Sequence, residues 1–122
     1  MAQPINRALA VATAACAAAQ LVMVVAGHYN ASVAQMFAIL GVTLSLVAGV
    51  VYAVLAHDTQ RGRAALNGAI AGGVGALIGI VVSFALGDVT ASILAIGTLS
   101  SAVTGALGGF VGSLTAARRV AA

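Results

Sequence analysis

Few side chains in this sequence could do chemistry, and their spacing limits what that chemistry would be. Apart from five arginines and the single Cys16, the titratable side chains are His28, His57, Asp58, Asp88, Tyr29 and Tyr52. A metal site needs several ligands held close together. His57 adjoins Asp58 and His28 adjoins Tyr29, but neighbouring helical residues point in different directions. Neither histidine has a second strong ligand at helical spacing. Axial ligation of a haem by one histidine is the residual cofactor chemistry, and the expectation is no metal and no cofactor.

Nucleophilic catalysis fares no better. Ser32, Ser83 or Ser92 would need a base oriented by a third group, and only two histidines exist to supply it. A lipid-modifying enzyme would have to work with Asp58, Asp88, His28, His57 or Tyr29 near the interface and use arginines to hold a headgroup. The plainer reading makes both histidines interfacial loop residues and both tyrosines headgroup anchors. One cysteine excludes an intrachain disulfide. Cys16 sits among alanines, where a small buried thiol is expected. The stretch GAIAGGVGALIG, residues 68–79, lacks the lysine and hydroxyl pair of a phosphate-binding loop.

The elements that carry these residues follow from composition. Of 122 residues, 62% are hydrophobic and 6% charged, against about 25% charged in a soluble domain. A charged surface around a soluble core is therefore excluded. Lysine and glutamate are absent, and the longest basic run is Arg118–Arg119, too little for a nucleic-acid surface. The N-terminal apolar run continues for about twenty residues, past the 7–15 of a secretory signal, and is expected to be retained.

A crossing helix needs about 20 residues. Four segments qualify, at 6–26, 31–56, 64–86 and 89–116, within a single transmembrane domain covering residues 1–122. GHYN, HDTQRGR and GD separate them. Such short connections make successive helices antiparallel neighbours, so the expected fold is an all-α integral membrane protein, an antiparallel up-down bundle of four helices. Asn30 or Ser32 is placed to cap the second helix and Asp88 the fourth. Four spans put Arg7, Arg61, Arg63, Arg118 and Arg119 on one side. By the positive-inside rule both termini are then cytoplasmic. The arginines set topology and can attract anionic headgroups.

Small residues recur along every span at helical spacing. The third has Gly68, Gly72, Gly75, Gly79 and Ser83, and the fourth has Gly97, Ser101, Gly105, Gly109 and Gly112. The second carries Ala34, Ala38, Gly41, Ser45, Gly49 and Ala53, and the first Ala10, Ala14 and Ala17. In lipid, apolar side chains gain little by leaving one hydrocarbon phase for another, so helices associate where small residues let backbones approach. These faces are expected to pack helix on helix, with at least one left for a homo-oligomer or a larger membrane complex. No charge lies at a midplane, which argues against a proton relay or ion-coupled carrier. Gln20 is the costliest polar side chain within a span. Together with Ser83, Thr98 and Thr104 it is a candidate interhelical bridge or polar path.

Three functions remain open. The first is a small non-catalytic subunit or assembly factor of the bacterial inner membrane. The second is a self-assembled channel or permeabilising protein. The third and weakest is a lipid-modifying enzyme. The bacterial inner membrane is inferred from the exclusive use of arginine and the heavy use of alanine.

Overall fold

A computed structural model describes residues 2–121 and the side chains of residues 2–119. The chain is all-α, and four of its helices are long and apolar enough to cross a membrane. Helix α1, Ile5–Tyr29, starts directly after Pro4, where a fixed φ and a missing N–H cost a helix nothing. Asn30 breaks it and begins the single turn α2, Ala31–Ala34, by accepting from the Ser32 backbone N–H at 2.9 Å. Helix α3 runs Phe37–Ala56, α4 runs Arg61–Ala85, and α5 runs Ala91–Ala121.

Two boundaries differ from the sequence expectation. The segment 31–56 is not one helix, because it is interrupted at Gln35 and Met36. The Phe37 ring occupies the place that a Cβ on Gly27 would take, so the corner is pinned against the end of α1. The remaining 20 residues of α3 still span about 30 Å. The start of α5 also moves, to Ala91. Thr90, not Asp88, reaches into its first turn, its Oγ1 accepting from the Ile93 N–H at 3.4 Å.

Helices α3 and α4 end alike. His57 and Gly87 adopt positive φ, 49° and 80°. The Asp58 N–H donates to the Ala53 carbonyl and the Asp88 N–H to the Ser83 carbonyl, at 2.9 and 3.0 Å. This is the Schellman ending, which satisfies the last carbonyls of a helix. It places an aspartate just beyond each of the two helix ends.

The packing inverts that of a soluble protein. Among the described residues no leucine, isoleucine, methionine or phenylalanine is buried, and Val24 is the only buried aliphatic side chain larger than alanine. The interior is mostly alanine, glycine and serine, together with Cys16, Gln20, Val24, Tyr52, Asp58 and Asn67. Large side chains such as Val22, Ile39, Leu66 and Leu99 stand outward, each more than 60% exposed. That arrangement would be costly in water and is natural where the surroundings are hydrocarbon. The protein is a multi-pass membrane protein. Its most extensive interface is α4 on α5, followed by α3 on α5 and α1 on α4.

Candidate functional site

Three features divide the bundle along its length: a buried polar clasp at one end, a glycine seam beside it, and a cavity at the other end.

The clasp is built on Asp58, whose side chain is fully buried. Arg63, in the first turn of α4, grips it through two bonds, Nε to Oδ2 at 3.0 Å and Nη2 to Oδ1 at 2.9 Å. The Tyr52 hydroxyl donates to Oδ2 at 2.7 Å and accepts from Asn67 Nδ2 at 2.7 Å. The Gln60 N–H donates to Oδ1 at 3.1 Å. Burial pushes the Asp58 carboxyl up, but donation from Arg63, Tyr52 and Gln60 outweighs it and holds the carboxyl below the usual carboxylate range. Every member found a partner, so the network ties the 57–60 loop to α3 and α4.

Tyr52 is accordingly no headgroup anchor. It is wholly buried, whereas Tyr29 is 84% exposed. Arg63 is not a free member of the basic patch, because it serves Asp58. The Gln3 N–H meets the Leu55 carbonyl at 2.8 Å, and Arg119 shares a small cavity with His57. Arg7, Arg61, Arg63, Arg118 and Arg119 therefore gather at this one end, exposed at their positions.

The seam lies directly above the clasp. A Cβ built on Gly105 would fall on the Gly68 carbonyl, and one on Gly49 or Gly68 would fall on the Gly105 carbonyl. On Gly109 it would strike the Ala64 carbonyl, and on Gly72 it would come within 2.9 Å of the Ser101 carbonyl. On Gly112 it would lie 2.7 Å from Ala53 Cβ. Backbones of α3, α4 and α5 thus touch where glycine supplies no side chain. Gly75 and Gly79 face another way, toward α1, with Cβ positions 2.6 Å from Cys16 Cβ and 2.7 Å from Gln20 Cβ. Ser45 joins the same core, donating to the Gly41 carbonyl at 3.0 Å and the Gly72 carbonyl at 3.4 Å.

Toward the other end this contact lapses. A Cβ on Gly41 would find nothing nearer than Gln20 Oε1 at 3.7 Å, and one on Gly97 would meet only the tip of Ile80, at 2.8 Å. Here α1, α3, α4 and α5 surround a cavity of about 510 Å³. Gln20 lies on its floor and donates to the Gly41 carbonyl at 3.2 Å. Ser83 and Ser101 line it as well. The Ser83 hydroxyl is buried and has no hydrogen-bond partner. Thr98 and Thr104 do not join: each donates at 2.7 Å to the carbonyl one turn back, Leu94 and Ser100. Asp88 borders the rim and pairs with His28 Nδ1 at 2.8 Å, both partly exposed.

Among the described residues no three of His, Cys, Asp and Glu come together as a metal-binding group. No protein-family model matches the chain, and neither does any curated protein or solved structure. Sequence reasoning missed Asn67 altogether and misread Tyr52. One signal was present, because Arg63 and Asn67 are four apart and so share a face of α4.

Proposed function

We propose that this chain is a small non-catalytic subunit of the bacterial inner membrane. It would serve as a rigid four-span module that stabilises or assembles a larger membrane complex, or a homo-oligomer. In this reading the helices run up and down in turn, and both termini are cytoplasmic because the arginine-bearing end stays inside.

The observation that carries the proposal is the inverted packing. Most glycines, with Gln20, Ser45 and the clasp residues, are consumed inside the chain, and the hydrogen-bonded clasp locks a loop instead of presenting a reactive group. What faces outward is aliphatic surface, suited to lipid or to another membrane protein. Apart from Gly62, the glycines of α4 and α5 contact other helices of the same chain. Ala17, expected in the α1 stripe, is buried, so a partner is left to the exposed Ala10, Ala14 and Ala18 of α1, which are spaced for close approach. A conducting path down the axis of one chain is opposed by the seam, where three backbones meet at Gly105.

Solubilising native membranes in mild detergent tests this. The chain should elute with a stoichiometric membrane partner or as a defined multimer, and Ala14→Leu should release a folded monomer. A wild-type chain that runs as a monomer from native membranes would refute the subunit reading. A tag at either terminus labelled from the outer face would refute the orientation.

A further inference from the structure

We propose that the cavity at the Asp88 end is a binding site for an uncharged single-chain amphiphile bearing a hydroxyl group, that is, a long-chain alcohol drawn from the surrounding lipid. The inference goes beyond the subunit reading and does not depend on it.

Size and walls define the body of such a ligand. About 510 Å³ falls within the roughly 300–1,000 Å³ of sites that take a drug-sized molecule. Met23, Phe37, Ile80, Ile93 and Ile96 supply apolar walls. Ile93 and Ile96 are also 47% and 59% exposed on the outside of the bundle. The cavity therefore reaches the outer surface of the bundle at these residues of α5, and a lipid-soluble molecule needs no aqueous route.

The polar groups define its head. Ser83 is 2% exposed and its hydroxyl has no partner, which is unusual, since buried polar atoms are nearly always bonded. A hydroxyl both gives and accepts a hydrogen bond, and so does an alcohol placed against it. Gln20 uses one amide hydrogen on the Gly41 carbonyl, and the amide nitrogen has a second. Charge sets the remaining constraint. The lining contains no arginine, lysine or histidine, and Asp88 borders it. A carboxylate or phosphate head would meet the Asp88 carboxylate there, and the one basic side chain beside the rim, His28, is already engaged by Asp88 at 2.8 Å.

The chain contains no tryptophan, so Ile93→Trp in the full-length protein, reconstituted in lipid nanodiscs, provides a single tryptophan in the cavity wall. The probes are a terminally brominated long-chain alcohol, the matching bromoalkane and the matching bromo fatty acid, each a contact quencher. The alcohol should quench saturably, half-saturating at about fivefold lower mole fraction than the bromoalkane, as one hydrogen bond implies. The acid should be weaker than the alcohol. Ser83→Ala, which deletes a hydroxyl that no protein group satisfies, should bring the alcohol to the bromoalkane level. Ala38→Phe, which fills the cavity, should remove the saturable component. A control with Leu107→Trp in place of Ile93→Trp should be quenched alike by all three probes. Quenching that never saturates, equal half-saturation for alcohol and bromoalkane, an acid that binds as tightly as the alcohol, or an alcohol indifferent to Ser83→Ala each overturns the proposal.

Discussion

At two places in the molecule a long helix stops in the same way, with a left-handed residue followed by an aspartate: His57–Asp58 after α3 and Gly87–Asp88 after α4. The two aspartates then diverge. Asp58 is buried and takes four hydrogen bonds from Arg63, Tyr52 and Gln60. Asp88 stays partly exposed with one histidine beside it. What lies beyond each explains the difference. On the Asp58 side the glycines bring three helices into backbone contact, so a charged loop is folded under a closed roof and must be fully bonded. On the Asp88 side the helices part around a cavity, and the rim remains loosely tied. A shared local motif does not fix the fate of the residue after it; the packing density above it does.

The largest test of this contrast is a side chain forced into the seam. Gly105→Val would place a branched Cβ on the Gly68 carbonyl. No side-chain rotation relieves a backbone clash, so the loss should exceed about 4 kcal/mol, the exceptional end of single-substitution effects. The expected result is a protein that no longer elutes as one species in detergent or melts cooperatively in nanodiscs. A well-folded variant would mean that the two ends differ less in rigidity than their geometry implies.

The next effect is in the clasp. Tyr52→Phe removes the hydroxyl between Asp58 and Asn67, leaving the Asn67 amide without its acceptor in a buried site, at a cost of about 1–3 kcal/mol. Acid should reach the same network. The Asp58 carboxyl is held below its unfolded value of about 3.9, so the unfolded chain binds protons first as pH falls. The stabilisation from Asp58 is complete above that unfolded value and is lost as pH drops through the lower folded one. Melting temperature followed from pH 6 to pH 2 should therefore fall on the acid side. Asp58→Asn, already destabilised, should show a flatter acid limb. An unchanged slope would mean that the clasp does not hold the carboxylate.

Much of the fold was legible because membrane helices announce themselves by length and continuous hydrophobicity, and four such runs stand apart in the chain. The Gln35–Met36 interruption was not legible, since neither glycine nor proline marks it. It arises from Phe37 seating against Gly27, a contact between two helices. Nor could spacing assign partners. Gly68, Gly72, Gly75 and Gly79 recur as one stripe, yet Gly68 and Gly72 meet α5 while Gly75 and Gly79 meet α1. The clasp joins Tyr52, Asp58 and Asn67 through the geometry of a helix end, which helical periodicity does not encode. The cavity was invisible for a related reason: it exists where contacts stop, and a pattern of small residues reads the same whether or not a neighbour arrives.

Exchanging the left-handed residues compares the two helix ends directly. Gly87→Ala places a Cβ on a backbone at φ 80° and should destabilise by about 1 kcal/mol. His57→Gly relieves a similar conformation at φ 49°, offset by the greater freedom of glycine in the unfolded chain. The balance should be a gain of a few tenths of a kcal/mol, read as a small rise in melting temperature. If His57→Gly proved strongly destabilising, the histidine ring would be holding the Arg119 side of the bundle, and the two ends would differ in more than packing.

The smallest effect is the sharpest discriminator between the halves. Gly41 and Gly105 both sit in small-residue stripes, and sequence alone gives no ground for treating them differently. A methyl group at Gly105 meets backbone, whereas at Gly41 it meets only side-chain tips, Gln20 Oε1 at 3.7 Å and Met23 Cε at 4.0 Å. Gly41→Ala should therefore leave stability within about 0.5 kcal/mol of wild type or raise it, because alanine is the better helix former by up to about 1 kcal/mol. Gly62→Ala, at a position with nothing within 4 Å, sets the baseline for that gain on an open surface. A Gly41→Ala variant that melts well below wild type while Gly62→Ala does not would mean that the cavity closes around Gly41 in the bilayer. The contrast between a sealed and an open half would then fail at its centre.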